Sequence, residues 1–180
     1  MPSPTLLSPN TGNYRIGKGR FEFKRDGEMD FKHMGNAPEA EFTPTIEKLD
    51  HFSSMEGVRE KDLSVVVERG GTLAITLEEW TPDNMSLILL GTIDEGAVGG
   101  PTVEIFDQDS IEGQLTFYSN NDTGPRWNFY WFNVSFIPSQ ALNPISDEWG
   151  AIEVEAEVLV SQTAPNAGRF GYAQLTNLES

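Results

Sequence analysis

The chain contains no cysteine among its 180 residues. That absence excludes disulfides, thiolate metal sites and cysteine nucleophiles together. Histidine is almost missing too: His33 and His51 are the two present, so a zinc site built on three histidines cannot form. Cationic side chains are scarce, with 12 Lys+Arg against 28 Asp+Glu and a formal net charge of −16. Affinity for a polyanion comes mostly from Lys and Arg neutralising phosphates, so ordinary nucleic-acid binding is not expected. No run approaches the roughly 18–20 apolar residues of a membrane helix. The opening Met1-Pro2-Ser3-Pro4 is polar and turn-prone, which argues against a secretory signal. No membrane partner is expected.

Catalytic signatures are equally thin. There is no Gly-x-Ser-x-Gly elbow, phosphate-cradling loop or dinucleotide fingerprint, and Gly17-Lys18-Gly19 lacks both the upstream glycine and the Ser/Thr partner. Carboxylates are plentiful, but Glu153, Glu155 and Glu157 sit at spacing two on one strand. An acid/base pair needs two carboxylates across a cleft in unlike environments. Asp94-Glu95 and Asp107-Gln108-Asp109 miss the twelve-residue spacing of a calcium loop and suit turns. The aromatic run of Trp127, Phe129, Tyr130, Trp131, Phe132 and Phe136 could be a sugar platform, but aromatic-rich strands more often serve core and interface. The sequence points to no catalysis, no cofactor and no metal.

What is present has mostly period two, which means strands. The length suits one domain, 1–180. Residues 14–24 alternate toward their end, Asp26-Gly27 supplies a tight turn, and a short strand follows around Met29–Met34. From Ala37 to Leu49 an extended stretch, marked by Pro38 and Pro44 as interrupted or at an edge, places Glu39, Glu41, Thr43, Thr45 and Glu47 on one face. Residues 50–62 show no clean period and read as a long loop. Leu63–Arg69 and Thr72–Glu79 are expected to form a hairpin about Gly70-Gly71. Thr81 as N-cap, Pro82 at the first helical position and Asp83 beside the positive dipole end predict a short helix through Leu90, closed by Gly91. Further strands are expected at Val103–Asp107, Gly113–Ser119, Trp127–Ile137 and Ala151–Val160. The fold class is therefore mainly β, a sandwich or distorted barrel with one short helix.

Charge is uneven along this pattern. Residues 1–36 hold six basic residues and four acids, while 37–180 hold six and twenty-four. Such asymmetry fits self-association, with the basic segment of Arg15, Lys18 and Arg20 in one copy lying on the acidic body of the next.

Several ordered segments then carry a resemblance. Asn13-Tyr14-Arg15-Ile16-Gly17-Lys18-Gly19 before Phe21-Glu22-Phe23, Leu49-Asp50-His51-Phe52-Ser53-Ser54, and Gly57-Val58-Arg59-Glu60-Lys61-Asp62 before an alternating strand are three of them. Leu77-Glu78-Glu79-Trp80-Thr81-Pro82-Asp83-Asn84 before an apolar helix, and Ile145-Ser146-Asp147-Glu148-Trp149-Gly150 leading into Ile152–Val158, are the others. Together they resemble the major tail tube proteins of long, non-contractile-tailed bacteriophages. The resemblance implies a β-sandwich whose inner strands join those of neighbours into a continuous barrel. Six copies close a ring, and rings stack into a tube through which viral DNA passes without specific binding. It also implies an N-terminal arm (1–12), a C-terminal arm (161–180), and an inter-ring loop comprising Asp50, His51, Phe52, Met55, Glu56, Val58, Arg59, Glu60, Lys61 and Asp62. Partners would be further copies, a tape measure inside, and tip and terminator proteins at the ends, in the virion tail after assembly in the host cytoplasm. No additional immunoglobulin-like domain is visible. The tube of a contractile injection system and a monomeric carbohydrate-binding module using Trp127, Tyr130 and Trp131 are the alternatives.

A channel for DNA must not trap it. DNA carries about one charge per 1.7 Å, and a lysine contact repeated in every subunit would add up along the tube. The expected lumen residues are therefore acidic or hydroxyl-bearing: Glu39, Glu41, Thr43, Thr45, Glu47, Glu153, Glu155 and Glu157, joined by Glu68, Thr76, Glu78, Asn133 and Ser135.

Overall fold

A computed structural model describes residues 9–176 except 56, 138–140 and 148. After a 3-10 turn at Thr11–Asn13 come β1 (Gly19–Arg25), β2 (Lys32–His33), β3 (Glu39–Ser53), β4 (Glu60–Leu77) and the helix α1 (Pro82–Leu89). They are followed by β5 (Ile93–Asp94), β6 (Thr102–Val103), β7 (Ile111–Ser119), β8 (Arg126–Ile137), β9 (Ile152–Val158) and β10 (Gly171–Thr176). The chain is mainly β, as its alternation requires. Eight strands make one antiparallel sheet in the order β2-β1-β7-β8-β9-β4-β3, with β10 also on β8, and β5-β6 form a separate small hairpin.

The sheet's inner face is the apolar half of each alternation. Leu73, Ile75 and Leu77 of β4, Ile152, Val154, Ala156 and Val158 of β9, and Val134 and Phe136 of β8 are buried together with Phe21 and Phe23 of β1. Helix α1 covers this face through Leu87 and Ile88. Phe42 of β3 meets Trp131 of β8 edge-on, 5.6 Å between ring centroids, although β9 and β4 lie between their strands. At about 4.8 Å per strand a flat sheet would hold them roughly 14 Å apart. The sheet therefore curls strongly on itself, barrel-like but unclosed. The gap is a groove of about 450 Å³ between β3 and the β1-β7-β8 side, floored by Phe21, Phe117, Phe129 and Trp131.

Five expectations need correction. Residues Leu63–Arg69 and Thr72–Glu79 are not two arms of a hairpin: Gly70 and Gly71 sit in the middle of the continuous strand β4. Neither glycine has positive φ, so neither makes a tight turn. Gly71 is instead small because a Cβ there would press on the Phe42 ring at 2.6 Å. The loop expected at 50–62 shrinks accordingly. Asp50, His51 and Phe52 end β3, while Glu60, Lys61 and Asp62 begin β4, in a ladder that pairs Phe52 with Lys61 and Ser53 with Glu60. Register shifts after Glu47 and after His51 erased the period that would have shown strand. Helix α1 is capped by Thr81, whose hydroxyl accepts from Asn84 N–H, but its left-handed terminal residue is Leu90 (φ 46), not Gly91. Burial of the Leu90 side chain offsets that backbone cost. Gly91 is glycine because a Cβ would collide with the Glu104 carbonyl. Finally, the expected C-terminal arm returns to the sheet as β10, with Tyr172 opposite Tyr130, and the strand at 103–107 is only the two residues of β6. The expected arm at 1–12 falls largely outside the described residues.

Candidate functional site

The outer face of β3, β4 and β9 is the molecule's most distinctive surface. Register carries the argument, since residues paired across strands point to one side. Glu39 lies opposite Thr76, which lies opposite Glu153; Glu41, Ala74 and Glu155 form the next row; Thr43, Thr72 and Glu157 the third. Ser135 of β8 extends the third row beside Glu157. Farther along, Thr45 faces Gly70 and Glu47 faces Glu68. The buried partners in β4 and β9 alternate with these residues and point inward. No lysine or arginine of the three strands shares the face over these rows, because Lys48 and Arg69 take the opposite parity.

The structure thus brings together Glu39, Glu41, Thr43, Thr45, Glu47, Glu68, Thr76, Glu153, Glu155 and Glu157. Ser135 joins them but is nearly covered by its neighbours. Asn133 stands at the rim, where its side-chain amide donates to Glu112 at 3.3 Å. Glu78 lies just past the end of β4 and accepts from the Asn36 side chain. Two members escaped the sequence reading. Thr72 completes the third row, and Glu112 of β7 extends the acid toward β8, paired with Ser135. Thr72 was legible from its parity with Thr76, whereas Glu112 needed the strand order.

Among the described residues the Thr43 hydroxyl donates to Glu41 at 3.4 Å. Glu39 and Glu153 are two strands apart, roughly 10 Å, about one Debye length at physiological salt. Glu47 and Glu68 are directly opposite, a like-charge pair that costs stability. Among the described residues no group of three His, Asp or Glu is arranged to hold a metal ion.

Beyond the Glu47/Glu68 row the β3-β4 hairpin leaves the body. Leu49, Leu63, Val65, Val66 and Val67 are all exposed there, and at the turn Met55 is 93% exposed with Val58 close behind. Of the expected loop residues, Glu56 lies outside the described ones. The arm is held as a ladder by polar contacts. Lys61 Nζ is 2.8 Å from Asp50, Ser64 donates to Asp50 at 2.6 Å, and His51 Nδ1 lies 2.7 Å from Asp62. The Lys61 hydrogen bond, then that of Ser64, holds the Asp50 carboxyl below its ordinary value. Arg59 rests over the Phe52 ring.

Of the basic residues expected to make a subunit contact, Arg15 and Lys18 line the groove while Arg20 lies over the Tyr118 ring on the other face, and all three are partly engaged within the chain. Lys18 pairs with Asp122 at 2.8 Å and Arg20 with Glu22 at 2.8 Å. Arg15 reaches Ser119 Oγ at 3.4 Å while its Nε is buried without a partner. The aromatic run divides between faces. Trp131, 8% exposed, packs in the core, whereas Tyr130 stacks on Tyr172 at 4.5 Å on the outer face. Trp131 and Tyr130 therefore cannot form one sugar platform.

No described helix is long and apolar enough to cross a membrane. No curated protein matches the chain. A family model described as "Protein of unknown function UCP028589" matches residues 14–124, more than half of the chain, from before β1 to the turn after β7. The long hairpin and the helix both lie inside that stretch, and the chain belongs to this UCP028589 family.

Proposed function

We propose that this protein is a structural tube subunit: six copies close a ring, rings stack, and the tube forms the tail of a long-tailed bacteriophage through which DNA leaves the virion. The observation that carries the reading is the acid-and-hydroxyl face of β3, β4 and β9, which holds ten of the expected residues in register with no cation among them. A surface of this kind repels phosphate along its whole length, so DNA in contact with it finds no counter-charge on which to bind. It performs no reaction and needs no cofactor.

Two further features support assembly. Strand β3 is the edge of the sheet for its full fifteen residues, and an open edge that long is a template for pairing with another chain. The exposed apolar hairpin is an aggregation hazard in an isolated domain and a contact in an assembly. An injection-system tube would use the same surfaces. Electron microscopy of purified protein tests the reading: rings and hollow filaments are expected, and a solitary monomer at high concentration would refute it.

A further inference from the structure

The groove between β3 and the β1-β7-β8 side plays no part in the tube reading, yet it is built from chemically unlike parts. Its floor is a series of rings in mutual contact. Between centroids, Phe21 lies 4.9 Å from Phe117 and Phe117 lies 6.2 Å from Phe129. The series continues with Phe129 stacked 5.7 Å from Trp131, and Trp131 5.6 Å from Phe42. At about 450 Å³ the groove has the size of a small-molecule site, and such sites are concave, mostly apolar and oriented by a few polar groups. Gly17-Lys18-Gly19 forms part of the rim. Gly19 is glycine because the floor rises to meet it: a Cβ there would stand 2.3 Å from the Phe117 ring.

One cation of this groove has nothing to neutralise it. Arg15 lines the groove, and among the described residues its guanidinium makes no ion pair. Its hydrogen bond to Ser119 Oγ is long at 3.4 Å, and its Nε is buried without an acceptor, a costly state for a donor. The neighbouring charges are already committed. Lys18 pairs with Asp122 at 2.8 Å. Glu39 and Glu41 flank the groove, but Ala40 and Phe42 take the parity of buried Ile75 and Leu73, so both carboxylates belong to the outer face.

We infer that the groove binds a small amphipathic carboxylate, a free medium-chain fatty acid, with its chain on the ring floor and its head on Arg15. The apolar chain gains by leaving water. The two carboxylate oxygens match the planar fork of a guanidinium and supply the acceptor that Nε lacks. The elongate row of rings suits a chain, and a cationic head would meet Arg15 with like charge. This site stands apart from the tube reading, and neither requires the other.

Isothermal titration of the whole chain with sodium decanoate tests it, with decanol and decylamine as controls that share the chain and differ in the head. One saturable site is expected for decanoate, about tenfold or more tighter than for either control, with the Trp131 indole N–H signal shifting in NMR. Arg15→Gln should abolish the preference for decanoate over decanol. Ala40→Trp fills the groove from a position open to it and should abolish the binding of both. Absence of a saturable site overturns the inference, as does decanoate affinity unchanged in Arg15→Gln or in Ala40→Trp. Exclusion of decanoate while the Trp131 signal moves with protein concentration gives the groove to a second copy and also overturns it. Microscopy separates the two proposals: a lack of tubes refutes the tube reading and leaves a decanoate site standing, and tubes from a chain that binds no decanoate refute the site alone.

Discussion

Strands β3 and β4 run side by side for most of their length, yet the two halves of β4 obey different rules. In the body half, Leu73, Ile75 and Leu77 are buried while Thr72, Ala74 and Thr76 point out. In the arm half every residue of both strands is exposed or nearly so, Val65, Val66 and Val67 included. The same ladder therefore continues after its hydrophobic reason has ended. Backbone hydrogen bonds and a few ion pairs maintain the arm, and neither contributes much against water. In the assembly proposed above, apolar side chains that gain nothing in the monomer would be covered by a neighbouring copy.

The most severe way to break this comparison is to truncate matching residues in the two halves. Leu73→Ala empties a fully buried site, and a loss of about 2–5 kcal/mol is expected in urea unfolding. Leu63→Ala removes an exposed side chain, with an expected change within about 0.5 kcal/mol but impaired filament growth. Comparable losses from both would erase the distinction. A larger excision sharpens it: replacing 48–67 by Asn-Gly between Glu47 and Glu68 should leave a folded protein with an unaltered core and no filaments. Normal tubes from that variant would count against the arm as an assembly element.

The joint between the halves offers a subtler contrast. Gly71→Ala meets the Phe42 ring and should cost about 1–3 kcal/mol. At its neighbour, Gly70→Ala finds only the Thr45 hydroxyl at 3.5 Å and should be neutral or slightly stabilising through the unfolded chain, as thermal melts of the pair would show. Relieving the like-charge pair with Glu47→Gln should stabilise the monomer by about 0.2–1 kcal/mol at low salt, a gain that shrinks as salt is added.

The smallest effect is on acidity. Because the Asp50 carboxyl is held below its ordinary 3.8 by Lys61 and Ser64, its contribution is present above the unfolded value. It is lost as pH falls through the lower folded one. NMR titration should find the Asp50 midpoint rising in Lys61→Met, and an unmoved midpoint would show the bond is not formed in solution.

Much of this was readable from alternation alone. Glu39 to Glu47 and Glu153 to Glu157 announce their faces because period two fixes parity without knowledge of neighbours. The helix start was legible in Thr81-Pro82-Asp83 for the same local reason. What failed was whatever depended on partners. Gly70-Gly71 reads as a turn until Phe42 is known to lie against it, and 50–62 reads as a loop because two register shifts break its period. Leu90 takes the left-handed position beside an available Gly91 because burial, a tertiary quantity, outweighs local preference. The rows linking Glu39, Thr76 and Glu153 require the order β9-β4-β3, which no single strand encodes.

The central claim is that the cation-free face of β3, β4 and β9 lines a channel. A cryo-electron microscopy reconstruction of the assembled protein tests it most directly. The expected map is a stack of sixfold rings with Glu41, Glu155 and their row-mates pointing into the bore. A bore lined with lysine and arginine, or that acidic face turned to the outside of the assembly, would contradict it.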